Sequence, residues 1–209
     1  MDLTIKKVIV GAIRTNCYIV YLGNGEALLI DPGDDSEKII AELNRVTDLT
    51  LKYILITHGH FDHILALDEL SKEFPEAKIY IGKKDIDIIE KMDFQSEIWG
   101  QKLPKVLAKP KGLNEQDKLG FGNFMIEIIE TPGHTSGGVC YYINSNLFSG
   151  DTLFYRSYGR TDLPDSDFEE MRESLGKLAK LPEETRVYPG HGAETTIKNE
   201  KINGILLSL

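Results

Sequence analysis

The chain has 209 residues, of which 41% are hydrophobic and 27% charged, and a formal net charge of −9. This length gives one domain enough chain for a substantial core, and the acidic balance speaks against a nucleic-acid partner held through its phosphates. No apolar run approaches the roughly 18 residues that a membrane span needs, and Met1-Asp2-Leu3-Thr4-Ile5-Lys6-Lys7 lacks the apolar core of a secretory leader.

Three strand-like runs come first, Thr4–Val10, Cys17–Leu22 and Ala27–Ile30, with Gly23-Asn24-Gly25 as a hairpin turn between the last two. Asp31-Pro32-Gly33 closes the third run with turn chemistry. Residues 35–46 then read as a helix whose stripe is Ile39, Ile40, Leu43 and Val46. The apolar run Tyr53–Ile56 reads as a buried strand, and helical spacing sets in from Ile64. Between them lies Thr57-His58-Gly59-His60-Phe61-Asp62-His63. Three imidazoles and a carboxylate thus fall at the carboxyl end of a strand, where open α/β sheets place their sites. Asp62 alone would read as a helix N-cap, and a single His as a structural residue. Crowding three imidazoles gains little unless a cation binds them, so this stretch reads as a metal site.

Further on, Lys78–Ile81 is a short strand and Lys83–Met92 a helix. Residues 93–112, with Phe94, Trp99, Pro104 and Pro110, read as a long irregular segment, a flap beside the site or a loop anchored by its tryptophan. Phe124–Glu130 is a strand ending in Thr131-Pro132-Gly133-His134-Thr135. Val139–Ile143 and Asn146–Ser149 form a hairpin-like pair ending in Gly150-Asp151. Asp167–Lys180 is a helix with Phe168, Met171, Leu175 and Leu178 inward, and Arg186-Val187-Tyr188 a last strand leading to Pro189-Gly190-His191-Gly192. A helix-like stretch begins at Thr195. Every one of the five histidines follows an apolar strand-like run beside a glycine turn. Cys17 and Cys140 lie in apolar runs far apart, which predicts two buried thiols rather than a disulfide, and a cytoplasmic protein. There is no internal repeat or linker, so residues 1–209 read as one domain.

These pieces resemble the metallo-β-lactamase fold superfamily: the His-x-His-x-Asp-His box at 58–63, Gly133-His134-Thr135, Gly150-Asp151 and Gly190-His191-Gly192, with Asp31-Pro32-Gly33 as the early turn. The resemblance implies an αββα sandwich, two mixed β-sheets face to face with helices outside. It also implies a ligand set, in which His58, His60 and His134 hold one metal and Asp62, His63 and His191 a second, with Asp151 bridging. The implied cofactors are two divalent ions, zinc first, with iron or manganese as alternatives. Gly150-Asp151-Thr152-Leu153-Phe154, Gly159-Arg160-Thr161-Asp162 and Tyr188-Pro189-Gly190-His191-Gly192 are similar to the glyoxalase II branch, in its short bacterial form. The longer enzymes of that branch add a carboxy-terminal helical domain, and carry Lys and Tyr where this sequence has Arg160 and Asp162.

The activity so implied is hydrolysis of a small-molecule thioester, S-lactoylglutathione or a related hydroxyacyl-thiol, by a metal-bound hydroxide that Asp62 orients. Two ions about 3.5–4 Å apart bring the pKa of a shared water from 15.7 towards ~7. A thiol of pKa ~8.5 departs without a dedicated general acid, which suits a site whose histidines are all committed as ligands. Tyr158 and Arg160 are the candidate substrate contacts. Arg160 can grip a carboxylate bidentately or pair with Asp162. The alternative within the same resemblance is a mononuclear-iron persulfide dioxygenase.

Overall fold

The computed structural model describes residues 3–208. One six-stranded sheet takes the first half of the chain in order: β1 (Leu3–Val10), β2 (Thr15–Leu22), β3 (Glu26–Ile30), β4 (Thr50–Ile56), β5 (Lys78–Gly82) and β6 (Lys111–Leu113). β1 to β3 pair antiparallel, and β3 to β6 parallel. The helices α1 (Ser36–Leu43), α2 (Leu67–Glu73), α3 (Ile86–Glu90) and α4 (Met92–Trp99) fall within this half. The second half contributes β7 (Lys118–Phe121), β8 (Phe124–Glu130), β9 (Val139–Ile143) and β10 (Asn146–Gly150). After the small ribbon of β11 (Leu153–Phe154) and β12 (Ser157–Tyr158), α5 (Phe168–Leu178) leads to β13 (Arg186–Pro189), β14 (Thr195–Thr196) and α6 (Ile197–Asn203). The second sheet runs β14-β13-β10-β9-β8-β7, with β10 and β13 parallel and its other pairs antiparallel.

The alternation of side chains along each strand sorts the core into three layers. In β2, Tyr18, Val20 and Leu22 point between the sheets, where they meet Phe121, Ile126, Tyr141, Phe148 and Tyr188 of the second sheet. Cys17 and Ile19 point the other way, onto a cluster with Ile39 and Leu43 of α1 and Leu67 and Leu70 of α2. In the second sheet Cys140, Leu147 and Val187 face Met171, Leu175 and Leu178 of α5 and Ile197 of α6. Strands apolar on both faces therefore need helices on both outer surfaces. The result is the αββα sandwich of two mixed sheets that the sequence implied. Each fully buried Leu, Ile or Phe adds about 1.5–3 kcal/mol through surface removed from water.

Most expected elements appear within a few residues of their predicted bounds. The β9–β10 hairpin turns on Asn144 and Ser145, both left-handed (φ 46° and 61°), the conformation that matches strand twist in a two-residue turn. Both cysteines are free and buried. The strands β6, β7, β11 and β12 were not expected, and three further details differ. Phe168, expected inward, is half exposed at the first turn of α5, and the buried Ser174 instead donates to the Pro132 carbonyl at 2.7 Å. Thr195–Thr196 pairs with β13 before the last helix begins. Residues 93–99, expected to be irregular, belong to α4, which Gly100 ends at φ 65°. The helix has no clear apolar stripe because Phe94 and Ile98 face solvent and a glutamine, Gln95, is buried beside Met92.

Candidate metal centre

Four loops that follow strands meet at one end of the sandwich. The His58–His63 turn follows β4, His134 follows β8, Asp151 follows β10 and His191 follows β13. Main-chain and side-chain ties fix these loops across the two sheets. The Val139 N–H donates to the Thr57 carbonyl at 2.9 Å, and the Tyr141 hydroxyl to the Ile56 carbonyl at 2.8 Å. The Tyr18 hydroxyl and the Asn16 amide both donate to the Pro189 carbonyl, at 2.7 and 2.9 Å. At Gly190 a side chain would collide with Asp151 and come within 2.8 Å of the His63 ring. Glycine there lets the His191 loop lie against the other ligand-type residues.

All seven sequence-predicted candidate ligands come together. His58, His60 and His134 offer nitrogens that lie within 4.8 Å of one another, and so do the donor atoms of Asp62, His63 and His191. Asp151 stands between the two groups, 3.6 Å from His63 Nε2, 3.7 Å from His134 Nε2 and 3.6 Å from His191 Nε2. Several donors have no partner of their own. His58 Nε2, His63 Nε2 and Asp151 Oδ1 are buried without a hydrogen bond, which is costly unless a cation completes them. His134 Nδ1 is 2.9 Å from the Arg160 carbonyl, to which it donates, so its Nε2 turns a lone pair towards His60 Nδ1, also 2.9 Å away. Two imidazole nitrogens meeting in this way fit a shared positive ion. The arrangement suits divalent metals.

Electrostatics separates the two groups. Burial, then the other rings, pushes His58 well below the ordinary imidazole range, and burial with His134 takes His60 to about 3. Burial also acts on His63, but Asp62, Asp31 and Asp151 outweigh it and lift that ring to about 10. The Asp62 carboxyl, although buried, is held well below the usual carboxylate range by His63, His191 and His60. For His191, the bond to Asp62 and the charge of Asp151 overcome burial and raise it.

The family comparison bears on this geometry directly. The metallo-beta-lactamase superfamily model matches residues 10–191, a stretch that contains every donor described above. The chain belongs to that superfamily. Hydroxyacylglutathione hydrolase GloC of Haemophilus influenzae is 34% identical over 198 residues, 92% of this chain and 92% of its own. Among solved structures, the B3 metallo-beta-lactamase BLEG-1 superposes with a TM-score of 0.90 at 36% identity, covering 99% of this chain and 100% of that one. TTHA1623, solved in a di-iron-bound form, gives 0.86 at 38% identity, covering 96% and 99%. Superfamily relatives thus include hydrolases of different substrates.

Several residues that support the donors of this superfamily member were not singled out from the sequence. The Thr15 hydroxyl donates to Asp62 Oδ2 at 2.9 Å. Asp31 Oδ2 lies 3.0 Å from His63 Nδ1, and the same carboxylate accepts from the Thr57 N–H and hydroxyl, so the early turn has a role beyond turning the chain. Buried Asp85 and Gln95 grip the backbone of the His58–Phe61 turn. A polar pair opening a strand, Thr15-Asn16, was the one available signal among them.

The two candidate substrate contacts fall differently. The Arg160 guanidinium makes a two-point ion pair with Asp162, at 2.7 and 2.9 Å, and lies 5.9 Å from the centre of the Trp99 ring. The Tyr158 ring packs on the cluster under α5, with the Phe168 ring 6.3 Å away. Trp99 stands edge-on to Phe61 of the box at 5.4 Å. A pocket beside His60 is walled by Ile88, Phe94, Ile98, Trp99, Leu163 and Pro164, with Lys91 at its edge. On the Asp62 side, a cleft of about 230 Å³ reaches Ile13, Thr15 and Lys102.

Proposed function

We propose that the chain is a dinuclear-metal hydrolase of thioesters, acting on S-lactoylglutathione or a related hydroxyacyl-thiol. One observation supports this reading: six donors form two groups of three, and Asp151, the seventh, is within reach of both. His58, His60 and His134 would hold one ion, Asp62, His63 and His191 the other, and Asp151 would bridge them. Nitrogen and oxygen donors without thiolate accept zinc, iron or manganese. When bound, such a pair supplies Lewis acidity to the acyl carbonyl and makes water acidic enough to attack at neutral pH.

The chain's own residues do the rest. Asp62 stays ionised and is fixed by the Thr15 hydroxyl, so its carboxylate accepts the proton side of the attacking water and aims it. The apolar pocket beside His60 receives part of the substrate and excludes water from it. Arg160, exposed beside Trp99, exchanges Asp162 for a substrate carboxylate, since an ion pair open to solvent is held only weakly. A thiolate leaves unaided, having a conjugate acid of pKa ~8.5, whereas an amine would need a proton. That difference, with the name of the 34%-identical relative, favours a thioester over a lactam.

The test is release of free thiol from S-lactoylglutathione by the metal-loaded chain, beside a β-lactam and, with oxygen uptake followed, glutathione persulfide. Thioester cleavage is the expected result. Lactam cleavage alone, or oxygen uptake with the persulfide and no cleavage of the thioester, would overturn the proposal.

A further inference from the structure

Three main-chain groups in the His58–Phe61 turn end on two buried side chains. The Gly59 N–H donates to Asp85 Oδ2 at 2.9 Å, and the Gly59 carbonyl accepts from Gln95 Nε2 at 3.0 Å. The Phe61 N–H donates to Gln95 Oε1, also at 2.9 Å. The peptides on both sides of Gly59, which join it to His58 and His60, are therefore each held by a side chain. Asp85 in addition accepts from the Thr135 hydroxyl at 2.7 Å and from the Gly137 N–H at 2.6 Å, immediately after His134. One carboxylate thus ties the loop bearing His58 and His60 to the loop bearing His134. Both side chains come from the stretch between β5 and β6, Asp85 just before α3 and Gln95 on α4.

Packing alone does not call for these bonds. Ile89 and Met92 of the same stretch already anchor it in the outer core. A Cβ on Gly59 would stand 2.9 Å from the Ile88 Cβ and 3.0 Å from the Asp85 carbonyl, so the turn sits directly on this stretch. The other triad is supported from elsewhere, by Thr15 on Asp62 and Asp31 on His63.

We propose that Asp85 and Gln95 are positioning residues that hold His58, His60 and His134 at the spacing of one ion, and so set metal affinity at that triad and not at Asp62, His63 and His191. The inference rests on the two-ion reading above. Buried acceptors and donors of this kind work by fixing ligand orientation before the ion arrives, and losing such a partner typically costs 10–100-fold in affinity.

The experiment is competition of Zn(II) between the full chain and a chelator, with Co(II) absorption as a second readout. It uses Gln95→Met, which keeps the volume and removes the amide, and Asp85→Asn. Each is made in two backgrounds, His191→Ala to leave the histidine triad and His60→Ala to leave the carboxylate-bearing one. Gln95→Met is expected to weaken binding about 10–100-fold in the His191→Ala background and to change its Co(II) spectrum, with no change in the His60→Ala background. Should Asp85→Asn fail to fold, the Gln95→Met pair decides the question alone. Equal affinity with and without Gln95→Met, or an equal loss in both backgrounds, would overturn the inference while leaving two-ion binding by the parent chain intact. A parent chain that takes up no metal would overturn the two-ion reading and this inference together.

Discussion

The two donor triads lie side by side, but they are built from different materials. His58, His60 and His134 are nearly sealed, at 2%, 8% and 6% exposure, and contain no carboxylate of their own. The His58 and His60 rings are pushed towards the neutral form, and the supports behind the triad, Asp85, Gln95 and the Arg160 carbonyl, are aimed at backbone and ring nitrogens. The other triad mixes carboxylate with imidazole and opens to solvent through His191, whose side chain is 25% exposed. There His63 is surrounded by Asp31, Asp62 and Asp151 and holds a proton tightly when no metal is present. In the histidine triad, His58 and His60 would meet a cation with no proton to displace. The carboxylate-bearing triad supplies its own positive charge, on His63, which an entering ion would have to displace. Preorganisation in one half and proton exchange in the other are two ways of keeping a charged cluster stable inside a protein.

The largest expected effect comes from removing the carboxylate that defines the second triad. Asp62→Ala should lower turnover of the metal-loaded chain by about 10²–10⁴-fold, read by steady-state kinetics, because one ion loosens and the attacking water loses its orienting group. Retention of near-normal turnover would dissolve the distinction between the triads.

Proton release separates them next. Below pH 10 the His63 ring is protonated in the metal-free chain, so binding at its triad must expel a proton, and affinity there should fall about tenfold per unit as pH drops from 9 to 7. His60, brought to about 3, has no proton to lose in that range. Calorimetry in buffers of different ionisation enthalpy would show one binding event coupled to proton release and one nearly uncoupled. The same raised ring makes a stability prediction. Because its folded value lies above the ordinary imidazole value of about 6.5, its contribution is complete below that pH and is lost as pH rises through about 10. The melting temperature of metal-free protein should therefore decline between pH 7 and 10, and bound metal should remove much of that decline. A smaller effect belongs to Thr15→Val, which deletes the hydroxyl on Asp62 at nearly constant shape. A loss of about 1 kcal/mol, or some fivefold in turnover with little change in KM, is expected from kinetics.

Legibility in the sequence followed the same division. The seven residues that the fold brings together stood out because each is titratable and follows an apolar run beside a glycine, a local pattern that needs no knowledge of the fold. The two-sheet layering came from the family resemblance, with which the order of strands and helices along the chain agreed. The supports were not readable. Gln95 lies on a helix whose Phe94 and Ile98 face solvent, so neither helix nor anchor stood out. Asp85 bonds to Gly59, Thr135 and Gly137 across 26 to 52 residues of chain, distances that only the folded sheets bring together. Arg160 was legible as a cation but not as the carbonyl that sets the His134 ring. Tyr158 read as a substrate contact, yet its ring went to the cluster beneath α5 because β12 pairs back on Leu153.

The most direct measurement is the number of metal ions per chain, by elemental analysis of the purified protein, repeated for His60→Ala and His191→Ala. About two ions are expected for the parent and about one for each variant, with the pH-sensitive ion missing from His191→Ala. A parent chain with a single ion, or two variants that lose the same ion, would contradict this expectation.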